Sequence, residues 1–377
     1  MRLTILSIII ILFVSTGFQD SPSAKKDKIT YSLEAGGVKS WKSTSQPSPY
    51  AGYVDFFTKD GQPFLVMENR NNTSVEFYPW NAGSLLFAVK PDSAEVPECY
   101  MQGFYIASMD SVFILDAGNG KLHLLNKKGM LVKTHSLESG TGTGSKTQKL
   151  MPGIYSGSPG IQKGDWLHIS GTPFSGASDP STYSHGKTNI AVNMQTGATR
   201  TEYGYPNHYK EGKYSAYYKD VKRCLTPEGE LLYSFGADDS VRLTDLQTPG
   251  KAFYAGSSFF KTPPPAKAAY GNTARPQNYG GILYDKVNQV YYRMALHGVA
   301  DVLKAEHGFD DQQISIIILD KNFRKTGETL LPAGKHNFRQ WFTGPDGLYI
   351  SNSHPGQLSG NTGELAFTRY KLVPAKK

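Results

Sequence analysis

Cysteine is nearly absent from this chain: two residues in 377, Cys99 and Cys224. That count excludes a disulfide framework and a cysteine-rich metal module. One disulfide between Cys99 and Cys224 is the most that can form, and two buried unlinked thiols are the equal alternative. Charge is also scarce, at 19% of residues, which excludes a disordered or coiled-coil chain. The nine histidines form no His-x-x-x-His pair and no cluster with cysteine. Asp238-Asp239 and Asp310-Asp311 lack the spaced acidic loop of a calcium site and read as turns. No metal or cofactor is expected. The formal charge is +8, yet its lysines and arginines are scattered and no run resembles a nucleic-acid-binding arm.

Glycine and aromatics, by contrast, are plentiful: 39 Gly, 23 Tyr and 19 Phe suit a chain rich in strands and turns. From about Tyr53 to Val373 short strands recur between tight turns, with almost no helical periodicity. One copy reads Ser111-Val-Phe-Ile-Leu-Asp, Asn119-Gly, Leu122-His-Leu-Leu-Asn, Lys128-Gly, then Met130-Leu-Val-Lys-Thr. Asp60-Gly61 and Asn71-Asn72 are hairpin turns of the same kind. Six such groups can be drawn, spaced by roughly 45 to 60 residues. The expected fold is therefore all-β: a six-bladed propeller of four-stranded antiparallel blades. A lone blade has two apolar faces and can bury them only by stacking on neighbours in a ring. Lys28-Ile-Thr-Tyr-Ser-Leu33 has no local partner and is expected to close the ring against the blade ending at Val373.

The first residues read as a targeting segment. Arg2 precedes an apolar run from Leu3 to Val14, then Ser15-Thr16-Gly17. The run is short for a membrane span and suits a signal-peptide core. The expected organisation is a signal peptide (or an uncleaved anchor) over residues 1–24, followed by one propeller domain over 25–377. Phe18 stands where a lipidation box would place its cysteine, so there is no thiol to acylate. The expectation is export to the periplasm, outer membrane or cell surface, with peripheral membrane association open but lipidation disfavoured.

No local motif announces a reaction. Gly140-Thr-Gly-Thr-Gly-Ser-Lys146-Thr147 fails the phosphate-loop spacing, and Gly157-Ser-Pro-Gly160 is not a nucleophile elbow. The catalytic residues, if any, are unknown at this level. The most suggestive strand is Tyr291-Tyr-Arg293-Met-Ala-Leu-His297, whose alternation puts Tyr291, Arg293 and His297 on one face. Such a face can hold an anionic or sugar-like ligand at a channel mouth, and Arg223, Arg339 and Trp341 are further candidates. The competing reading is that these cations tie neighbouring blades together through carboxylates or carbonyls.

Four stretches carry a family likeness: Gly103-Phe-Tyr-Ile with Asp110-Ser-Val-Phe-Ile; Leu232-Tyr-Ser-Phe-Gly-Ala; Tyr279-Gly-Gly-Ile-Leu-Tyr-Asp with Val290-Tyr-Tyr-Arg; and Ile316-Ile-Ile-Leu-Asp-Lys-Asn-Phe. The chain resembles an uncharacterised bacterial family of exported six-bladed propellers, commonly lipoproteins, across most of residues 30 to 373. The resemblance implies an envelope location and supplies neither a reaction nor site residues. It leaves two functional expectations. The first is a binding or scaffold protein of the envelope that recognises a protein, peptide or glycan. The alternative is a lyase or hydrolase acting on a carbohydrate or lactone with residues drawn from several blades.

Overall fold

A computed structural model of the chain describes residues 30–43, 52–137, 149–174, 181–211, 214, 218–246, 250–261, 275–301, 303–305, 311–353 and 363–376. The targeting segment, the glycine-rich stretch 140–147 and Pro263–Pro265 lie outside the described residues.

The turns set the strands. Asp60 and Gly61 both have positive φ, 49° and 76°, and join β2 (Val54–Lys59) to β3 (Gln62–Asn69). Lys59 pairs directly with Gln62, so this is a two-residue hairpin whose twist matches that of its strands. With β4 (Ser74–Pro79) and β5 (Phe87–Val89) it forms a four-stranded antiparallel sheet. The second sheet is β6 (Met101–Ser108), β7 (Ser111–Asp116), β8 (Lys121–Leu125) and β9 (Leu131–Ser136). The third has five strands: β10 (Leu150–Gly153), β11 (Ile161–Lys163), β12 (Trp166–Pro173), β13 (Lys187–Asn193) and β14 (Thr199–Gly204), with β10 and β11 both pairing β12. The fourth is β15 (Val221–Leu225), β16 (Leu231–Phe235), β17 (Ser240–Thr244) and β18 (Lys251–Tyr254). Two single helical turns, α1 (Ser181–Ser184) and α2 (Asn207–Lys210), sit before β13 and between the third and fourth sheets.

The remaining strands correct the expectation of six separate blades. They are β19 (Asn278–Asp285), β20 (Val290–Leu296), β21 (Ile314–Leu319), β22 (Lys325–Leu330), β23 (Asn337–Gly344), β24 (Gly347–Ser351) and β25 (Glu364–Pro374). Together with β1 (Tyr31–Lys42) they make one eight-stranded sheet, in the order β19-β20-β21-β22-β1-β25-β24-β23. The cause is β1. It runs antiparallel to β25 from Tyr31–Pro374 to Lys42–Glu364, and its first residue also pairs in parallel with Gly327 of β22. Gly327 permits this approach, because a Cβ there would lie 2.0 Å from the Tyr31 carbonyl oxygen. The described residues therefore form a propeller-type fold of four separate sheets and one double-width sheet. The N-terminal strand does pair with the last strand, and it extends well past Leu33.

Burial follows the radial stacking. The strands β16, β20, β21 and β24 are buried along their whole length, while the outer strands β9 and β14 are largely exposed or half-buried. A strand buried on both faces needs a neighbouring sheet on each side. Apolar clusters fill those gaps, and one of them joins the two ends of the chain. Trp41, Phe342, Tyr349 and Phe367 of the double-width sheet pack with Val54, Leu65 and Tyr78 of the first sheet. Trp80 is the hub of that seam, 5.2 Å from Trp41, 5.1 Å from Phe56 and 5.2 Å from Tyr349, centroid to centroid. On the inside, β2 packs on β23, β19 on β15 and β23, β12 on β15, and β10 on β6. Tyr53 at the head of β2 meets Phe104 of β6 at 4.5 Å, which completes the circuit.

Candidate ligand site on the plugged axis

The inner strands enclose a space, and one turn of the chain crosses it. Between β10 and β11, Tyr155 and Ser158 exchange backbone hydrogen bonds of 3.1 and 2.8 Å around Ser156-Gly157. The turn then bonds outward in several directions. Ile154 N donates to Gln102 O of β6, Ser156 N to Gly52 O beside β2, and Ile282 N of β19 to Gly157 O. The Ser156 hydroxyl accepts from Val54 N at 3.1 Å, and the Ser158 hydroxyl lies 2.6 Å from that of Ser170 in β12. A turn held by strands of the first, second, third and double-width sheets must lie at their common centre. It plugs the axis.

A cavity of about 370 Å³ opens on this plug. Its wall takes Arg70 and Gly52 from the first sheet, Gln102 from the second, Tyr155 and Gly157 from the plug and Asp220 and Lys222 from the fourth sheet. Arg275, Asn278, Tyr279, Phe338, Arg339 and Trp341 complete it from the double-width sheet and the approach to it. Four cationic side chains thus face one carboxylate, Asp220, and no histidine stands among the described lining residues.

The cations differ in how they are held. Arg70 Nε donates to Glu68 Oε1 at 2.9 Å. Glu68 is fully buried and also accepts from the backbone N–H groups of Gly52 and Gly103, both at 3.1 Å. Burial raises its carboxyl above the usual range, although Arg70 and the two N–H groups pull the other way. Lys222 is held differently. Its ammonium sits 4.1 Å from the centroid of the Tyr155 ring, and among the described residues it makes no hydrogen bond or ion pair. Burial lowers its pKa, with nearby Asp220 partly opposing. Asp220 in turn accepts from the Thr172 hydroxyl at 3.1 Å. The Arg339 guanidinium lies 4.5 Å from the Phe338 ring centroid.

The structure brings Arg339 and Trp341 to this cavity and places the other sequence candidates elsewhere. The strand β20 does reach the wall, but through Met294 and Leu296, the face opposite Tyr291, Arg293 and His297. Arg293 is fully buried and donates to the Ser234 hydroxyl and to the carbonyls of Ala255, Phe235 and Asp238, all on the fourth sheet or its exit. It is a tie between sheets. It touches the site only from behind, with its guanidinium 3.8 Å from the centroid of the Tyr279 ring. Tyr291 is buried between Tyr284 and Phe323. His297 is half-buried, 3.1 Å from the Ser315 hydroxyl, and burial lowers its pKa. Arg223 is buried on the far face of β15 from Lys222 and donates to the Ser170 hydroxyl, while its Nε and Nη2 find no acceptor among the described residues. Both cysteines are free: Cys99 packs beside the cluster of the first three sheets and Cys224 in that of the fourth and fifth strand groups. The admitted Cys99–Cys224 disulfide is therefore not made.

Arg70, Tyr155, Asp220, Lys222 and Arg275 were not legible as site residues. Asp220 and Lys222 stand two residues apart at the head of one strand, but the others come from separate groups and share no spacing with them. The available signal was the run Ser156-Gly-Ser-Pro-Gly160, too small and too glycine-rich for the strand it interrupts.

The model of a domain of unknown function, DUF4221, matches residues 24–330. The chain belongs to this family. A crystal structure of another DUF4221 member, from Bacteroides vulgatus, is 17% identical and superposes with a TM-score of 0.76 over 93% of this chain and 100% of that one. A Bacteroides fragilis protein named for its supposed export is 10% identical, with a TM-score of 0.48 over 91% of this chain and 96% of its own. The PQQ-bound aldose sugar dehydrogenase of Streptomyces coelicolor is 14% identical, with a TM-score of 0.46 over 91% and 100%. No curated protein matches the sequence. The first likeness fixes the fold, and none of them assigns a role to this chain.

Proposed function

We propose that this DUF4221 chain is an exported, non-enzymatic binding protein of the bacterial envelope, built as a six-bladed ring, and that its ligand enters the cavity over the Tyr155–Ser158 turn. The double-width sheet counts in this reading as two blades, β19–β22 and β23–β25 with β1, joined edge to edge through Tyr31 and Gly327. Export rests on Arg2 and the Leu3–Val14 run; Phe18 in place of a lipidation cysteine favours a soluble envelope protein over a tethered one.

The observation that carries the binding reading is the plug. A turn bonded to four sheets closes the axis, so the space above it is a pocket with a floor, lined from most of the ring. Among the described lining residues the one carboxylate, Asp220, does not make the pair, or the His–carboxylate set, expected of acid–base catalysis. The full chain, used as bait in an extract of its native envelope, is expected to retain a ligand chemically unchanged. Accumulation of products from a glycan or lactone panel, with nothing retained from the extract, replaces this reading with the lyase or hydrolase alternative.

A further inference from the structure

The binding reading leaves the ligand's chemistry open, and the wall of the cavity narrows it. We propose that the cavity takes an acidic carbohydrate, with Lys222 contacting a sugar carboxylate and Asp220 and Gln102 contacting neighbouring hydroxyls. This rests on the proposed role of the cavity as the ligand site.

Charge comes first. Among the described lining residues, the cations Arg70, Lys222, Arg275 and Arg339 outnumber the one carboxylate, Asp220, and Glu68 behind the wall pairs with Arg70. The telling residue is Lys222. A lysine partly drawn out of water, as the half-buried Lys222 is, normally finds a carboxylate or carbonyl. This one has an aromatic face instead. A π-face fixes the position of an ammonium through its quadrupole but leaves the full charge in place. Among the described residues the three N–H donors of Lys222 remain unspent beside a cavity, which is the condition an anionic ligand satisfies.

The second step separates anions. A compact polyanion such as a phosphate chain meets Asp220 on the same wall and is repelled by it. A ligand carrying hydroxyls beside its carboxylate is not: a carboxylate side chain accepts from hydroxyls, and the Gln102 and Asn278 amides both donate and accept. A sugar acid presents that combination on one ring. Neutral sugars leave Lys222 unpaired. The space, about 370 Å³, lies at the lower end of small-ligand sites and suits the end of a chain of one or two sugar units.

The test is calorimetric titration of the full chain with short oligomers of galacturonate, glucuronate-containing hyaluronan and mannuronate, their methyl esters, neutral galactose oligomers and tripolyphosphate. At least one acid series is expected to bind, with its ester weaker by about tenfold or more, the loss of one charged hydrogen bond. Lys222→Met should weaken the acid by a similar factor and the ester by less, without lowering the melting temperature, and Lys222→Arg should restore part of the acid binding. The proposal is overturned if acid and ester bind alike, if tripolyphosphate outcompetes every uronate, if Lys222→Met binds as the parent does, or if no acid series binds. Neutral oligomers binding in its place would sink this inference and leave the binding-protein role standing. Cleavage of an oligomer would sink that role itself.

Discussion

Gly157 and Gly281 meet backbone to backbone at the centre of the ring: a Cβ built on Gly157 would lie 2.4 Å from the Gly281 Cα, and one on Gly281 would lie 2.7 Å from the Gly157 Cα. The side chain of Trp341 closes on the same point, 2.6 Å from a Cβ on Gly281. One residue belongs to the plug, one to β19 and one to β23, so the contact locks three distant parts of the chain together. The Ile282 N–H to Gly157 O hydrogen bond, at 3.3 Å, depends on the same closeness.

Gly157→Ala and Gly281→Ala are therefore expected to destabilise the fold although alanine is the smallest possible addition. Backbone cannot yield as a flexible side chain can, and overpacking of a dense interior costs about 1–3 kcal/mol. Each variant should lower the denaturant midpoint by a corresponding amount. Gly61→Ala, on an exposed hairpin with nothing within 4 Å of its Cβ, provides a contrast in which only the positive φ of 76° is penalised. A Gly157 variant as stable as the parent would mean that the turn does not plug the axis.

How much of this was legible follows from where the information lies. Local chemistry was: Asp60-Gly61 sets a hairpin by its own φ preferences, and β7, β8 and β9 fall where the alternation from Ser111 to Thr134 puts them. The third group was less so. Gly153-Ile-Tyr-Ser has strand composition, yet the chain leaves the sheet after Gly153 because the plug's partners come from other sheets. The pairing of β1 with β22 at Tyr31 and Gly327, which fuses the last two strand groups, joins residues nearly three hundred apart and has no local signature. The site suffers most. Arg293 has the charge and the strand position of a site residue, and period-two alternation separates the faces of β20 correctly. Nothing in the sequence says which face meets the axis and which meets the fourth sheet.

The thiols provide a second prediction. Burial raises the Cys99 thiol to about 12 and drives that of Cys224 higher still. The thiolate is the reactive form, so both should resist alkylation in the native protein at neutral pH, Cys224 the more strongly because it is buried. Iodoacetamide with mass detection is expected to add no label in native buffer over minutes and two labels in denaturant without any reductant. Two labels appearing only after reduction would reveal a disulfide and contradict the free thiols.

A third prediction concerns Glu328, which gathers the exit of the fourth sheet onto β22. Its Oε1 accepts from the hydroxyls of Ser257 and Ser315 at 2.5 and 2.7 Å, and its Oε2 from Ser258 N and Lys325 Nζ at 2.6 and 2.7 Å. Both charges are nearly excluded from solvent, and Lys325 also donates to the Gly256 carbonyl at 2.7 Å. Burial alone would raise the Glu328 carboxyl, but Lys325 and the hydroxyl and N–H donors outweigh it and hold the pKa below the ordinary glutamate value. The sign of the linkage follows. A carboxylate favoured by the fold contributes its full stability above the unfolded pKa and loses it as pH falls through the folded one. Glu328→Gln removes the charge and strands Lys325, a change that costs about 3 kcal/mol near neutrality for a buried pair. The deficit against the parent should shrink steadily as the pH falls below about 4.5, because the parent is then losing the same interaction. Lys325→Met combined with Glu328→Gln should cost less than the sum of the single changes, since neither variant then leaves a buried charge alone. Equilibrium unfolding across pH 3 to 8 measures both effects. A deficit independent of pH, or strict additivity in the double variant, would show that Glu328 acts by shape and not by charge.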